Sequence, residues 1–295
     1  MKDFILTCCS TVDLNLEFFK TTHIPFIAYS FNLDGVEYAD DYGKSISNEE
    51  FYKRVKEGAT PQTSQVNSER FIEFWEPYLQ EGKDVLHLAM SSGITGSYNS
   101  ACLAKRYLDE KYPDNKVYLV DTLAGSSGYG MLVQSVYDLK AQGKNIHECY
   151  NWAEENKLNL HHWFFASDLT SFKRGGRISS TSFFVGKLLK ICPLMNVDYN
   201  GKLIPRRKIR TKEKAIVEIV ETMVENANNG LDYDGYCYIC NSACLEDATK
   251  VKNLVEEKFT NLKGKVKIFN IGTVIGSHTG IGTVALFFYG KKRID

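Results

Sequence analysis

The sequence predicts an α/β protein of two domains, with a parallel-sheet α/β domain at the N-terminus and an α+β domain at the C-terminus. Three observations lead to this prediction. The 295 residues exceed the usual length of a single domain. Through the first half, apolar runs of strand length alternate with segments of helical spacing, which is typical of a parallel sheet with helical crossovers. In the second half, the pair Asn200-Gly201 between two apolar segments indicates antiparallel pairing.

We place the domain boundary near residue 163, which gives domains of residues 1–163 and 164–295. In the first domain, short apolar runs predict strands, and apolar residues three or four positions apart predict helices. Asp34-Gly35 predicts a hairpin turn between residues 24–31 and 35–38. The other strands are predicted at residues 4–7, 85–90 and 117–120. The helices are predicted at residues 14–21, 48–56, 68–80, 97–111, 130–142 and 146–158.

The second domain opens with a predicted strand at residues 162–167. Asn200-Gly201 then joins the two strands of a predicted hairpin, residues 194–198 and 202–207. Three further strands are predicted at residues 236–240, 266–270 and 284–289. Helices are predicted at residues 212–226 and 245–259, which completes a mixed α+β pattern.

Composition disfavours several classes of function. The 36 basic and 36 acidic residues balance without a run of like charge, so the sequence disfavours a nucleic-acid-binding protein. It has no stretch of about 18 apolar residues, so no membrane-spanning helix is predicted. Residues 1–9 lack the pattern of a signal peptide, and the eight cysteines are most simply reduced thiols. Together these features predict a cytoplasmic protein.

The most informative segment is 85–104, in which an apolar strand ends at Ser91-Ser92-Gly93 and a helical stretch follows. A turn of small residues between a strand and a helix offers backbone N–H groups and hydroxyl donors, and this combination binds an anion. An isolated turn of this kind more often serves only to cap its helix. Both interpretations are open for this segment taken alone.

Three further polar patches fit the same anion-binding interpretation. They are Thr63-Ser64-Gln65, the Lys-Arg-Gly-Gly-Arg run at residues 173–177, and Gly-Ser-His-Thr-Gly at residues 276–280. Two glycines between cations let the backbone approach an anion, and we favour Arg177 for the site and a bracing role for Arg174. His278 is a candidate donor that also responds to pH. Each patch taken alone is equally compatible with an ordinary solvated loop.

These patches, taken in order along the chain, resemble the DegV family of bacterial fatty-acid-binding proteins. No single motif is decisive, but their order and spacing cover nearly the whole chain. The sequence departs from the family pattern at Cys9, where an acidic residue is usual, and at Ile281, where a proline is usual. The matching segments are Ser10-Thr11-Val12-Asp13-Leu14, Thr63-Ser64-Gln65, Ser91-Ser92-Gly93-Ile94-Thr95-Gly96-Ser97-Tyr98, Asp121-Thr122 with Gly128-Tyr129-Gly130, Lys173-Arg174-Gly175-Gly176-Arg177-Ile178 and His278-Thr279-Gly280.

The resemblance implies a non-enzymatic carrier that holds one long-chain fatty acid between its two domains, with no metal and no cofactor. It also implies a partner, a fatty-acid kinase of phospholipid metabolism that phosphorylates the carboxylate of the bound acyl chain. A carboxylate taken out of water needs hydrogen-bond donors on both oxygens. The expected carboxylate site consists of Thr63, Ser92, Gly93, Arg177 and His278, with Ser64, Ser91 and Gly176 as secondary candidates.

The main alternative is an enzyme, a transferase or hydrolase acting on a small anionic substrate in the same pocket. Ser92 would then be the nucleophile and His278 the base, with no third residue evident to orient that base. Cys237 and Cys240, three positions apart in a predicted strand, face opposite ways and are interpreted as thiols rather than as a metal or redox site. Residues 178–191 are predicted to form either a core helix or a lid that contacts anionic membranes transiently.

Overall fold

The computed structural model describes residues 3–178 and 191–294. Within them, the first half of the chain forms a four-stranded parallel sheet and a three-stranded antiparallel sheet, and the second half forms a six-stranded mixed sheet. The predicted α/β fold, with a parallel sheet first and an α+β unit second, is confirmed. The predicted boundary at residue 163 falls within the first strand of the six-stranded sheet and stays a prediction.

The first half contains, in chain order, strands β1 (Phe4–Cys9), β2 (Phe26–Ile27), β3 (Ser30–Leu33), β4 (Val36–Ala39), β5 (Gln62–Ser64), β6 (Asp84–Ala89) and β7 (Val117–Asp121). Its α-helices are α1 (Leu16–Thr22), α2 (Asn48–Lys56), α3 (Ser68–Gln80), α4 (Ser97–Lys111), α5 (Ser126–Ala141) and α6 (Ile146–Asn156). The parallel sheet has the order β2-β1-β6-β7, whereas β3 pairs antiparallel with both β4 and β5.

The second half contains strands β8 (Leu160–Ala166), β9 (Leu194–Val197), β10 (Leu203–Arg207), β11 (Cys237–Asn241), β12 (Lys267–Asn270) and β13 (Thr283–Tyr289). Its α-helices are α7 (Thr170–Gly175), α8 (Lys212–Asn226), α9 (Leu245–Lys258) and α10 (Thr273–Thr279). The strand order is β10-β9-β8-β13-β11-β12, with β11 and β12 parallel and the other neighbours antiparallel. The predicted hairpin at Asn200-Gly201 is confirmed as the β9–β10 pair.

Helices α2, α3, α4 and α8 begin and end where the sequence pattern predicts. Three of these helices have a capping side chain at the residue that precedes the first helical residue. Ser47, Asn67 and Thr211 each accept a hydrogen bond from a backbone N–H of the first helical turn. Such caps satisfy N–H groups that have no partner within the helix, and they fix the residue at which it begins.

Other elements differ from the prediction. The single strand predicted at residues 24–31 is wrong, because its residues divide between β2, which pairs with β1, and β3, which pairs with β4. Helix α5 begins at Ser126, earlier than the predicted residue 130. The sequence pattern does not predict α10, whose glycine, serine and threonine residues resemble a loop.

The six-stranded sheet contributes to two separate cores because its side chains alternate between its faces. Phe165 and Leu286 pack in the core that the sheet shares with α8 and α9. Phe164 and Phe287 point the other way and join the core of the N-terminal half. The inner face of this sheet therefore lies against the N-terminal half of the molecule.

Two buried carboxyl groups of the N-terminal half hold the first turn of α10. Asp40 accepts hydrogen bonds from the hydroxyls of Ser10 and Thr273, each at 2.7 Å. Asp13 accepts one from the hydroxyl of Ser126 and lies so close to Gly272 that a Cβ there would be 2.5 Å from Oδ1. Burial and then the nearby Asp40 raise the pKa of Asp13, and burial raises the pKa of Asp40. This link positions α10 against the N-terminal half.

We expect Asp13→Asn to raise the free energy of unfolding at neutral pH, because the amide carries no charge that burial disfavours. The pKa of Asp13 is higher in the folded protein than in the unfolded chain. The folded protein therefore binds more protons between the two values, and stability falls as the pH rises through that range. Asparagine removes this fall and tolerates the positive φ of 45° at this position.

Urea unfolding of the variant and the parent from acid to neutral pH measures the effect. Glu17→Gln changes an exposed acid on α1 and serves as the control. A loss of stability in Asp13→Asn at neutral pH would show that the ionised carboxylate stabilises α10.

A second link between the two halves is the buried guanidinium of Arg293. It donates to the carbonyl oxygens of Val197 and Asp198 at 3.0 and 2.8 Å through Nη1. Through Nη2 it donates to the carbonyl oxygens of Leu123 and Lys157, each at 3.1 Å. Arg293 thus joins the end of β9 to the loop that follows β7.

Candidate ligand-binding site

A cavity lies between the inner face of the six-stranded sheet and the N-terminal half. Most of its wall is apolar and comes from both halves: Met90, Ile94, Phe164, Phe172, Val197, Leu203, Ile271, Val274, Ile275, Ala285 and Phe287. Polar residues also line it, among them residues of β5, of α10 and of the turn after α7. An elongated apolar ligand with one polar end matches such a wall.

The polar segments meet at Thr63 and His278. Thr63 lies on β5, where it pairs with Phe31 of β3, and His278 lies on the last turn of α10. The Thr63 hydroxyl and His278 Nε2 are 2.8 Å apart and hydrogen bonded. The other ring nitrogen, Nδ1, is buried without a hydrogen-bond partner among the described residues. The pair therefore presents a hydroxyl and an imidazole together at the cavity wall.

The two glycines between the cations have separate roles. A Cβ at Gly175 would lie 2.7 Å from His278 Nδ1, so α7 approaches α10 closely only with glycine there. Gly176 ends α7 with a positive φ of 65°, which glycine adopts without strain. Arg177 follows, donates from Nη1 to the Gly175 carbonyl oxygen at 2.6 Å, and lines the cavity. Arg174 is exposed, and its Nη2 donates to the Ser171 hydroxyl at 3.4 Å.

The electrostatics of the polar corner of the cavity, formed by Thr63, Arg177 and His278, favour binding of an anion. Burial, followed by the charges of Arg177 and Arg174, lowers the pKa of His278 to about 4. The imidazole is therefore neutral at neutral pH, while the guanidinium of Arg177 keeps its positive charge. A carboxylate bound here would receive a charge-assisted hydrogen bond from Arg177. It would also receive the hydroxyl hydrogen of Thr63 in the tautomer in which His278 Nε2 donates to Thr63 Oγ1.

Two residues of the expected site, Ser92 and Gly93, are not among those that line the cavity. Ser92 is exposed, and its backbone N–H donates to Asp121 Oδ1 at 3.1 Å. The Gly93 N–H donates to the Ser91 hydroxyl at 3.1 Å, so it has no hydrogen left for a ligand. Neither residue is in the cavity wall. The N–H groups that the sequence pattern offers to an anion are already bonded to Asp121 and to the Ser91 hydroxyl.

The Ser91–Gly93 turn instead contacts the β9–β10 hairpin. The Ser91 hydroxyl is fully buried and donates to the Gly201 carbonyl oxygen at 2.8 Å. A Cβ at Gly93 would lie 2.5 Å from the Asn200 carbonyl oxygen. Of the secondary candidates, Ser64 lines the cavity, whereas Ser91 and Gly176 do not. The small residues of this turn therefore allow two backbone segments of different halves to approach each other.

Several cavity residues are not among those expected from the sequence. Thr95 lines the cavity from the same polar turn, two residues beyond Gly93. Tyr29 and Thr279 also line it, and the hydroxyl of Thr279 is buried without a hydrogen-bond partner among the described residues. Thr95 could have been predicted as part of the site, because it belongs to the polar turn of segment 85–104 that the sequence analysis emphasises. Tyr29 gives no comparable signal, since it follows an apolar run and resembles a core residue.

The cysteine and histidine residues of the two cores do not form a second site. In β11, Cys237 packs beside α9 and Cys240 faces the cavity, so the predicted opposite orientation is confirmed. Cys9 Sγ lies 3.5 Å from Nε2 of the buried His87, but burial raises the pKa of Cys9 and lowers the pKa of His87 to about 3. Both shifts favour the neutral forms, the opposite of an activated thiolate.

The family model for uncharacterised proteins of the DegV family matches residues 7–291. A DegV domain-containing protein of Clostridium perfringens is 39% identical over 293 residues, 99% of each chain. The chain belongs to the DegV family. The DegV resemblance found in the sequence motifs is thereby confirmed, and it extends over nearly the whole chain.

Solved structures show the same relationship. A DegV family protein of Thermus thermophilus, described as binding fatty acid, is 27% identical with a TM-score of 0.84, over 99% of this chain and 100% of that one. DegV of Bacillus subtilis, described as a fatty acid binding protein, is 26% identical with a TM-score of 0.83 over the same shares. In this DegV protein, residues 3–178 and 191–294 include no cluster of three or more potential metal ligands. No helix in that part of the chain has the length and apolar character needed to cross a membrane.

Proposed function

We propose that this DegV protein binds one long-chain fatty acid, with its carboxylate at Thr63, Arg177 and His278 and its acyl chain along the inner face of the six-stranded sheet. Ser64, which also lines the cavity, is a further donor within the proposed site. The observation that carries the proposal is the position of the Thr63–His278 pair, 2.8 Å apart, on the wall of a mainly apolar cavity. Related DegV proteins are described as fatty-acid-binding proteins, which supports the choice of ligand.

The free energy of binding divides between the two ends of such a ligand. Each methylene group taken from water into the apolar wall contributes about 0.8 kcal/mol. The carboxylate loses its hydration and needs donors to offset that cost. Thr63 and Arg177 supply these donors, and the negative charge of the carboxylate compensates the positive charge of the Arg177 guanidinium. Chain length thus sets the affinity, and the polar corner sets the orientation of the ligand.

The protein acts in this proposal as a carrier, with the fatty acid as its ligand and no cofactor. Its partner is a fatty-acid kinase that phosphorylates the presented carboxylate to an acyl phosphate, in the cytoplasm. Transient contact with an anionic membrane would deliver the fatty acid. The segment predicted to make that contact, 178–191, lies outside the described residues except at its two ends, and the membrane contact stays a prediction.

Mass spectrometry of the purified protein tests the proposal. Native spectra should show a mass increment that corresponds to one fatty acid per chain, and organic extraction should release that fatty acid. An empty protein that binds no added stearate would contradict the carrier. If that empty protein turns over an ester or a phosphate, the alternative of a hydrolase or transferase becomes the better account. That enzyme would not use Ser92 with His278, because His278 Nε2 bonds to Thr63.

We expect His278→Ala to reduce acyl-phosphate formation by the partner kinase more than it reduces fatty-acid affinity. The Thr63 hydroxyl and Arg177 remain to bind the carboxylate, whereas the imidazole that fixes the Thr63 hydroxyl is lost. Initial rates of acyl-phosphate formation and calorimetric affinities for stearate, measured on the same preparations, check this. Ser92→Ala is the matched control and should change neither. Equal fractional losses in the two assays for His278→Ala would mean that His278 only binds the ligand.

A further inference from the structure

The apolar cavity ends part-way along strand β13. Side chains of one strand face alternate sides of the sheet, and the cavity wall includes Thr283, Ala285 and Phe287 of this strand. Tyr289, the next residue on this face, is not part of the wall that the described residues form. Its hydroxyl is hydrogen bonded to the Ser135 hydroxyl of α5, 2.9 Å away. Helix α5 therefore covers the sheet beyond Phe287.

The size of the side chains on the inner face changes at the same point. Three side chains with aromatic rings occupy paired positions across β11, β13 and β8, in a row that we call the ring row: Tyr238, Phe287 and His162. The preceding row on the same face, one step nearer to Thr283, consists of Cys240, Ala285 and Phe164. Two of these three side chains are small, so this row leaves space for a ligand, whereas the ring row fills it.

Helix α5 closes the space over the ring row at Gly128. A Cβ there would lie 2.4 Å from His162 Nε2 and 2.5 Å from Phe287 Cδ1, so the helix backbone packs directly on both rings. The two rings pack edge to face, with centroids 5.3 Å apart. Gly125 and Ser126, where the same helix begins, still line the cavity. The change from open wall to close packing therefore occurs within about one turn of α5.

The strand register places the ring row opposite the polar corner. Thr283, at the start of β13, donates from its hydroxyl to the Thr279 carbonyl oxygen at 3.3 Å, one residue beyond His278. Phe287 lies four residues farther along the strand, which at about 3.3 Å per residue is roughly 13 Å. A fatty acid with its carboxylate at Arg177 would therefore direct its terminal methyl group toward the ring row.

We propose that the ring row and Gly128 set an upper limit on the length of the acyl chain, with Phe287, the central member of the row, as the specificity-determining residue. The inference rests on the proposed fatty-acid function and adds the limit on the ligand. Until the terminal methyl group reaches the ring row, each added methylene should tighten binding about fourfold, the equivalent of about 0.8 kcal/mol. Beyond that length, a further methylene must displace a packed ring or stay in water, and the affinity should stop rising.

Competition binding of saturated fatty acids of increasing length, from laurate to behenate, to the delipidated protein tests this limit. The affinity of the parent should rise with length to a maximum. Phe287→Leu shortens the central side chain of the ring row, so the maximum should move to acids longer by about two carbons. Ala285→Val fills the preceding row, so the maximum should move to shorter acids. Phe288→Leu is the matched control and should keep the parent's maximum, because Phe288 packs on the opposite face of β13 with α8 and α9.

Nuclear magnetic resonance of the unmodified protein provides a second readout that does not depend on a variant. With a ¹³C label on the terminal methyl group of the tightest-binding acid, that methyl should show nuclear Overhauser effects to the ring protons of Phe287. The inference would be overturned by an affinity that rises through behenate, a maximum that Phe287→Leu leaves in place, an equal shift in Phe288→Leu, or a terminal methyl that contacts only other walls. Failure of every fatty acid to bind the parent would overturn the proposed function instead.

Discussion

Replacement of Arg293 by methionine is expected to lower the free energy of unfolding by about 2–4 kcal/mol. The guanidinium donates to four backbone carbonyl oxygens, and methionine leaves these buried acceptors without it. The loss is smaller than the sum of four hydrogen bonds, because removal of a buried charge also has a benefit. That benefit is visible in the pKa of Arg293, which burial lowers to about 10.

Chemical unfolding of the parent and the variant measures this effect. Lys291→Met is the matched control, since Lys291 is exposed and makes a single side-chain bond to the Glu225 carbonyl oxygen. We expect its effect to stay within about 0.5 kcal/mol, as for most surface substitutions. If Arg293→Met is no more destabilising than Lys291→Met, Arg293 does not hold β9 to the N-terminal half in the way described.

The second large effect concerns the ligand. We expect Thr63→Val to weaken stearate binding by roughly 10- to 100-fold, because a hydrogen bond to a charged group contributes about 1.5–3 kcal/mol. Valine keeps the shape of the side chain and the β-strand preference, so β5 should remain paired with β3. Ser92→Ala should leave the affinity within about twofold of the parent, because Ser92 is exposed and is not part of the cavity wall.

Calorimetric titration of stearate into the delipidated variants separates the two residues, which the sequence motifs alone treat as equivalent donors. A loss of affinity in Ser92→Ala, with Thr63→Val unaffected, would indicate that the carboxylate binds at the Ser91–Gly93 turn instead.

Much of the fold is predictable because its elements are coded locally. Helix α3 has an apolar stripe and a capping side chain at Asn67, and α8 has the same combination with Thr211. The β9–β10 hairpin follows from Asn200-Gly201, whose turn requires a positive φ at Gly201. The division of residues 24–31 between two sheets is not coded in this way. It depends on pairing with strands elsewhere in the sequence. Strand β1 pairs with residues 26–27, and β5 pairs with residues 30–32.

The site was predictable only in part, for a related reason. Thr63, Arg177 and His278 carry polar side chains in glycine-containing or loop-like segments, and the structure does bring them to one cavity. For Ser92 and Gly93 the pattern is ambiguous, because the same small residues suit an anion and a tight backbone contact equally well. The sequence cannot reveal that Gly201 of another strand pair occupies that space. Helix α10 escapes prediction because the carboxyl groups that contact its first turn, those of Asp13 and Asp40, are distant from it in sequence.

The most direct test of the central claim is a crystal structure of the protein delipidated and then loaded with stearate. We predict one stearate in the cavity, its carboxylate within hydrogen-bond distance of the Thr63 hydroxyl and the Arg177 guanidinium, and its chain along Phe164 and Phe287. A carboxylate bound at the Ser91–Gly93 turn, or a fatty acid bound outside the space between the six-stranded sheet and the N-terminal half, would contradict the account.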